Sequence, residues 1–308
     1  MMNCQHYAGV FPALYACYDD SGAVSPARTR ALARYLAGKG VQGLYVGGSS
    51  GECIYLSVSE RMQTLESVME AVGGALPVIA HVACNNTQDS CALAAHAQSL
   101  GVDAIAAIPP IYFHLPPYAV AQYWNDISQA APDTDFLLYN IPQLAGTSLT
   151  LPLLRTMRRN PRVIGVKNSS LPVQDIQLWR DEGGPDFVVM NGPDEQFLAG
   201  LAMGATGGIG GTYGVMPELF VQIFRCFQAG RMGRAREIQN TICHIIYAMS
   251  AARGDLYAVV KEILRRRGVE IGSVRRPLPA LEPEDEPVVT ACAGAIDAAL
   301  AAYGGEDA

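Results

Sequence analysis

Apolar residues in this chain fall in short runs, separated by stretches with helical spacing. The runs are Val10 to Leu14, Gly43 to Val46, Pro77 to Val82, Ala104 to Ile108, Phe136 to Tyr139, Arg162 to Lys167, Phe187 to Met190 and Thr206 to Gly210. Short runs rich in Val, Ile and Leu, without polar alternation, predict strands buried on both faces of a parallel sheet. Helix signals lie between them. Ser25-Pro26 places a serine cap before a proline at the first helical position. Ser57 and Glu60 have the spacing of a capping box. Further helices are expected from about Thr87, near Tyr118, over Leu151 to Met157 and up to Met203.

Strand and helix thus alternate through roughly the first 215 residues, which predicts an α/β fold with a parallel sheet. Eight such units in that length fit a closed (β/α)8 TIM barrel over residues 1–215. A doubly wound open sheet is the structural alternative. Beyond Met216 the strand-like runs stop. Pro217 to Gln228, Met232 to Met249, Leu256 to Arg266 and about Glu286 to Ala301 carry helical periodicity. Residues 216–308 are therefore expected to be an added C-terminal helical region, packed on the barrel as part of one unit.

Composition narrows the function classes. Half of the 308 residues are apolar and 17% are charged, as in a globular core. No apolar run approaches the ~18 residues that suggest a membrane span. The start, Met1 to His6, lacks a basic segment followed by an apolar one, so no secretory signal is expected. A net charge of −7 leaves no footprint for nucleic acid. The one basic cluster, Arg265 to Arg267, reads as a solvated helix end. Eight scattered cysteines without a Cys-x-x-Cys pair predict reduced thiols and a cytoplasmic protein. Five scattered histidines form no ligand motif, so no metal site is expected.

The chain has three lysines. Lys39 stands in a helix-end context and Lys261 in a charged helix, and both read as solvated. Lys167 closes the apolar run Val163-Ile164-Gly165-Val166. An ammonium buried there without a partner tends to lose its proton and become a nucleophile. The plainer reading is a lysine whose stem packs while its head reaches water. In a barrel the active site lies at the C-terminal ends of the strands, where several chemically capable groups fall. Gly47-Gly48-Ser49-Ser50-Gly51-Glu52 is either a plain turn or a cradle of hydroxyl and N–H groups for a small carboxylate. It lacks the Gly-Lys-Ser/Thr ending of a nucleotide phosphate loop. Tyr139 ends the fifth run, as a core aromatic or a proton relay. Asp194-Glu195 follows the seventh run, where acids also simply favour a helix start. The glycines from Gly207 to Gly211 do not have dinucleotide-binding spacing.

Taken together, Gly47 to Glu52, Tyr139-Asn140-Ile141-Pro142 and Gly165-Val166-Lys167 resemble the signature of the N-acetylneuraminate lyase / dihydrodipicolinate synthase family of class I pyruvate aldolases. The resemblance runs from about Gly9 to Pro279. It implies a barrel with added helices, a homotetramer, and Lys167 as the Schiff-base lysine. It also implies Tyr139, Ser50 and Tyr112 from a neighbouring subunit as a catalytic hydroxyl chain. Ser49, Ser50, Ser169, Gly192, Asp194, Glu195 and Gly210 would bind substrate, without metal or organic cofactor. Leu144 occupies the place of the arginine with which the synthase branch pairs its aldehyde's carboxylate, and leucine cannot make that ion pair. Gly192-Pro193-Asp194-Glu195 resembles the lyase branch, which implies a 2-oxo acid substrate: cleavage of a sialic acid to N-acetylmannosamine and pyruvate. Ser50 and Ser169 replace the threonines usual in that branch, and Gly211 replaces a serine that contacts the sugar tail. The other readings are an aldolase for a different 2-oxo sugar acid or aldehyde, and an inactive sugar-acid-binding regulator.

Overall fold

The computed structural model describes residues 4–305; Met1 to Asn3, part of the expected leaderless start, lie outside the described residues. Eight parallel strands form the sheet: β1 (Gly9–Pro12), β2 (Leu44–Val46), β3 (Val78–His81), β4 (Ala104–Ala107), β5 (Asp135–Asn140), β6 (Val163–Asn168), β7 (Val188–Asn191) and β8 (Gly207–Gly210). From β2 to β8 each strand pairs with its sequence neighbour, and β1 pairs with β8. Between β1 and β2 the link is one parallel bridge, Ala13 to Tyr45, with the Leu14 N–H donating to the Tyr45 carbonyl at 2.8 Å. The sheet therefore curls into a nearly closed (β/α)8 barrel. An open doubly wound sheet would leave β1 away from β8.

The intervening helices are α1 (Pro26–Ala37), α2 (Val58–Val72), α3 (Thr87–Ser99), α4 (Pro117–Ala130), the single-turn α5 (Pro142–Ala145), α6 (Leu151–Met157), α7 (Gln174–Gly183) and α8 (Phe197–Ala202). After the barrel come α9 (Pro217–Gln228), α10 (Met232–Met249), α11 (Leu256–Arg266) and α12 (Glu286–Tyr303). Ser25 caps α1, and both halves of the Ser57–Glu60 capping box form on α2.

The strands read as continuous apolar runs because both of their faces are buried. Val10, Leu44, Ile105, Phe136, Leu138 and Val189 face the helix layer. Phe11, Tyr45, Ile79, Leu137, Tyr139 and Met190 fill the barrel interior.

Strand β6 departs from strict alternation. Its register against β5 shifts between Phe136 and Leu137, which pair with Val163 and Gly165 respectively. One extra residue is absorbed there, as in a β-bulge. Ile164 packs inside the barrel and Val166 in the helix layer. Lys167, three places after Ile164, then shares the inward face with its register partner Tyr139. Strict alternation counted from Ile164 would have turned Lys167 outward. Gly165 has to be glycine here, since a Cβ would lie 2.2 Å from the Val188 carbonyl oxygen.

Two of the lysines differ from expectation. Lys261 is not solvated: its side chain is fully buried in an ion pair with Glu52 at 2.6 Å. A buried ammonium needs such a partner, and Glu52 lies 209 residues away in sequence. Lys39 is partly buried and donates to Glu218 at 2.7 Å.

Candidate active site

The strand ends surround a cavity of about 330 Å³ at the C-terminal mouth of the barrel, a size suited to a small metabolite. It is lined by Ser49, Ser50, Tyr139, Lys167, Ser169, Gly192, Asp194, Glu195 and Gly211. Residues from distant parts of the sequence thus meet as the sequence predicts. Tyr112 and Gly210 do not line it.

Lys167 is 4% exposed. Its Nζ lies 4.0 Å from the centre of the Tyr139 ring and 4.1 Å from that of Tyr45. Among the described residues no carboxylate pairs with it. The head group therefore meets aromatic faces and the cavity rather than bulk water. The two rings stand edge to face, 6.1 Å apart, an arrangement that suits their quadrupoles. Tyr45 also lies directly beneath the serine loop, where a Cβ on Gly48 would meet its ring at 2.6 Å.

The serine loop is a single 3-10 turn, Ser49–Gly51, closed by the Glu52 N–H donating to the Ser49 carbonyl at 2.9 Å. Glu52 adopts the left-handed region at φ 52°, unusual for a residue with a side chain. The Ser50 hydroxyl donates to the Tyr257 hydroxyl at 3.1 Å. Below the loop, His81 Nδ1 lies 2.9 Å from the Gly47 carbonyl. Burial and the neighbouring Arg61 guanidinium push His81 well below the usual imidazole range, so it serves as a neutral prop.

Asparagines brace the opposite wall. Asn140 donates to Asn168 Oδ1 at 2.8 Å and accepts from the Leu149 N–H at 2.9 Å. Trp179 Nε1 also donates to Asn168 Oδ1, at 3.0 Å. These bonds fix the ends of β5 and β6 just past Tyr139 and Lys167. Gly192 sits where a Cβ would strike Ser169 Oγ at 1.9 Å. Glycine there lets the β7 loop close onto Ser169.

Asp194 is buried, and its Oδ2 accepts from both the N–H and the hydroxyl of Thr212 at 2.6 Å. Burial pushes its carboxyl up to about 6, against the lowering effect of the Thr212 hydrogen bonds. Gly210 supports this arrangement from behind: a Cβ there would meet Asp194 Oδ1 at 2.2 Å. Glu195, by contrast, is exposed at the cavity rim. Gly211 leaves space facing Ser50 and Tyr257, whose hydroxyls would lie 3.2 Å from a Cβ placed there.

Tyr112 is 87% exposed and stacks edge to face on Phe113 in the loop after β4. Its φ is 85°, a strained value for an aromatic residue. Tyr257, Glu52, Tyr45 and the asparagine braces are contributions that sequence reasoning misses. Only Glu52 and Asn140 belong to a recognisable motif, and their partners carry no local signal.

Comparison with known proteins agrees with this architecture. The model of the Dihydrodipicolinate synthetase family matches residues 6–296. The chain is 59% identical to N-acetylneuraminate lyase of Mediterraneibacter gnavus over 290 residues, 94% of this chain and 92% of that protein. The structure of wild-type Ruminococcus gnavus sialic acid aldolase superposes with a TM-score of 0.96 at 58% identity, covering 97% of this chain and 99% of that one. A catalytic-lysine mutant of that aldolase superposes with a TM-score of 0.98 at 57% identity, covering 98% and 100%. A family match over nearly the whole length, on a barrel with a lysine at the end of β6, leaves one conclusion: the chain belongs to the dihydrodipicolinate synthetase family.

Proposed function

We propose that this protein is an N-acetylneuraminate lyase, a class I aldolase that reversibly cleaves the open-chain sialic acid to N-acetylmannosamine and pyruvate. The observation that carries the reading is the pairing of Lys167 with Tyr139 at one level of the barrel mouth, facing a hydroxyl-bearing loop. The similarity to proteins named as sialic acid lyases and aldolases supports the choice of substrate.

In this reading, the Lys167 Nζ adds through its lone pair to the C2 ketone, and loss of water leaves a protonated Schiff base. Ser49, Ser50 and the loop N–H groups hold the C1 carboxylate. Tyr139 relays the proton from the C4 hydroxyl. The C3–C4 bond breaks, its electron pair flows into the iminium, and the C4 end departs as the aldehyde of N-acetylmannosamine. The remaining enamine takes a proton at C3, and water releases pyruvate and the free lysine. Asp194 and Glu195 accept hydrogen bonds from the sugar tail, with Ser169 and Gly192 beside it and Gly210 backing Asp194. The reading assigns no step to a metal or an organic cofactor.

Tyr112 completes the hydroxyl chain from a second copy. Its exposure and strained backbone support this assignment, as do the exposed rings of Phe113 and Tyr118 on the same face. The expected assembly is a homotetramer. Eight free cysteines suit a cytoplasmic setting; no helix among the described residues is long and apolar enough to cross a membrane.

Gly211 favours a second reading, an aldolase for a different 2-oxo sugar acid, because it offers no side-chain hydroxyl to the tail. Leu144, 62% exposed on the cavity wall, weighs against an aldehyde bearing a carboxylate. Pyruvate release from N-acetylneuraminate, measured against a panel of other 2-oxo sugar acids, decides between them. Fastest turnover of the sialic acid is expected; negligible release from it beside brisk release from another acid would refute the first reading.

A further inference from the structure

Helix α11 belongs to the region beyond the barrel, yet it holds the serine loop at two points, Ser50 and Glu52. Tyr257 and Lys261 lie one turn apart on it and face the same way. Tyr257 accepts from Ser50 at 3.1 Å. Lys261 Nζ donates to Glu52 Oε1 at 2.6 Å and to the Ser273 carbonyl at 2.8 Å. The other Glu52 oxygen accepts from the Tyr18 hydroxyl at 3.0 Å and from the Arg275 N–H at 2.8 Å. Both side chains of the ion pair are 0% exposed.

Taking two charges out of water costs about as much as their attraction returns, so such a pair is weak as a stabilising device. What it supplies here is geometry. Glu52 adopts a left-handed backbone that surroundings must hold in place, and its N–H closes the turn bearing Ser49 and Ser50. A pull on its carboxylate sets the end of that turn, while Tyr257 sets the direction of the Ser50 hydroxyl.

We propose that Lys261 and Tyr257 are positioning residues for 2-oxo-acid binding: α11 clamps the loop at Glu52 and Ser50 so that its donors face the substrate carboxylate. This rests on the reading of the loop as the carboxylate holder. Neither residue reacts with substrate in this assignment, and the C-terminal helices become part of the binding machinery.

The test is borohydride trapping of the full-length protein over a pyruvate titration, with the Lys167 adduct read by mass spectrometry. Two variants are compared with the wild type. Glu52→Gln with Lys261→Met removes both charges at nearly constant volume, and Tyr257→Phe removes one hydroxyl. Each should raise the half-saturating pyruvate concentration about fivefold or more, with the wild-type adduct yield at saturation. A merely structural role would lower the melting temperature or the active fraction and leave half-saturation unmoved; that outcome in folded protein overturns the clamp. If the double variant does not fold, Tyr257→Phe decides by the same criterion. Absence of any adduct in the wild type would instead overturn the lyase reading and the clamp together.

Discussion

Tyr139 and Lys167 are register partners across β5 and β6, with the lysine Nζ 4.0 Å from the tyrosine ring centre. The proposed chemistry divides the labour between them, and the two roles can be separated. Lys167→Ala should abolish turnover and pyruvate trapping while leaving the circular dichroism spectrum unchanged. Tyr139→Phe should still trap pyruvate, yet cleave the sugar acid roughly 10²–10⁴ times more slowly, the usual size of a lost proton relay. Retained turnover in Lys167→Ala would disprove its role as nucleophile.

Asp194 gives a signed dependence on pH. Its folded-state pKa is about 6, above the ordinary 3.8. Between those values the folded protein keeps a proton that the unfolded chain has lost, so this group favours folding more as pH falls from 6 toward 4. Relative to Asp194→Asn, which cannot titrate, the wild type should gain on the order of 2–3 kcal/mol of stability from pH 7 to pH 4. Denaturant melts at the two pH values measure it. Sugar-acid binding should run the opposite way, because only the carboxylate accepts both Thr212 and substrate donors. The rise in KM below about pH 6 should be steeper in the wild type than in Asp194→Asn, which cannot titrate there. A flat KM across that range in the wild type would remove Asp194 from the tail site.

Gly211 tests substrate choice. Its φ is −75°, so a side chain meets no backbone penalty, and Ser50 and Tyr257 hydroxyls at 3.2 Å need to give only slightly. Gly211→Ser should lower the KM for N-acetylneuraminate about fivefold, the value of one hydrogen bond of ~1 kcal/mol. An unchanged or higher KM, with pyruvate trapping intact, would show that the tail lies elsewhere.

Tyr112 offers a test of shared sites. Tyr112→Phe should lower turnover yet still trap pyruvate. Unfolding and refolding it together with Lys167→Ala should produce mixed oligomers in which some sites pair a wild-type lysine with a wild-type tyrosine from the other chain. Activity above that of either parent is expected. Activity equal to the average of the parents would confine Tyr112 to its own chain.

The barrel was legible because its strands are buried on both faces and therefore spell uninterrupted apolar runs, and because Ser25 and Ser57 mark helix starts with short-range chemistry. The lysine, tyrosine and serine loop were legible for the same reason: their places follow from strand ends alone. Lys261 was not. A neighbouring Glu-Ile-Leu-Arg-Arg-Arg stretch suggests solvent, whereas the residue's environment is set by Glu52 and Ser273 folding around it. Tyr257 and the Asn140–Asn168 brace escaped likewise, since the meaning of each lies in a partner far along the chain. Which residues face inward on β6 was also hidden, because a bulge leaves no mark in an apolar run.

That bulge decides which way the end of β6 faces. With it, Ile164 and Gly165 both turn inward, and the amine emerges into the cavity. Without it, alternation would run on unbroken from Ile164, and the residue at 167 would turn toward the helix layer. Glycine at 165 permits the bulged register, because a Cβ there would lie 2.2 Å from the Val188 carbonyl oxygen. A side chain there would disarm the site while leaving every group that meets the substrate chemically intact.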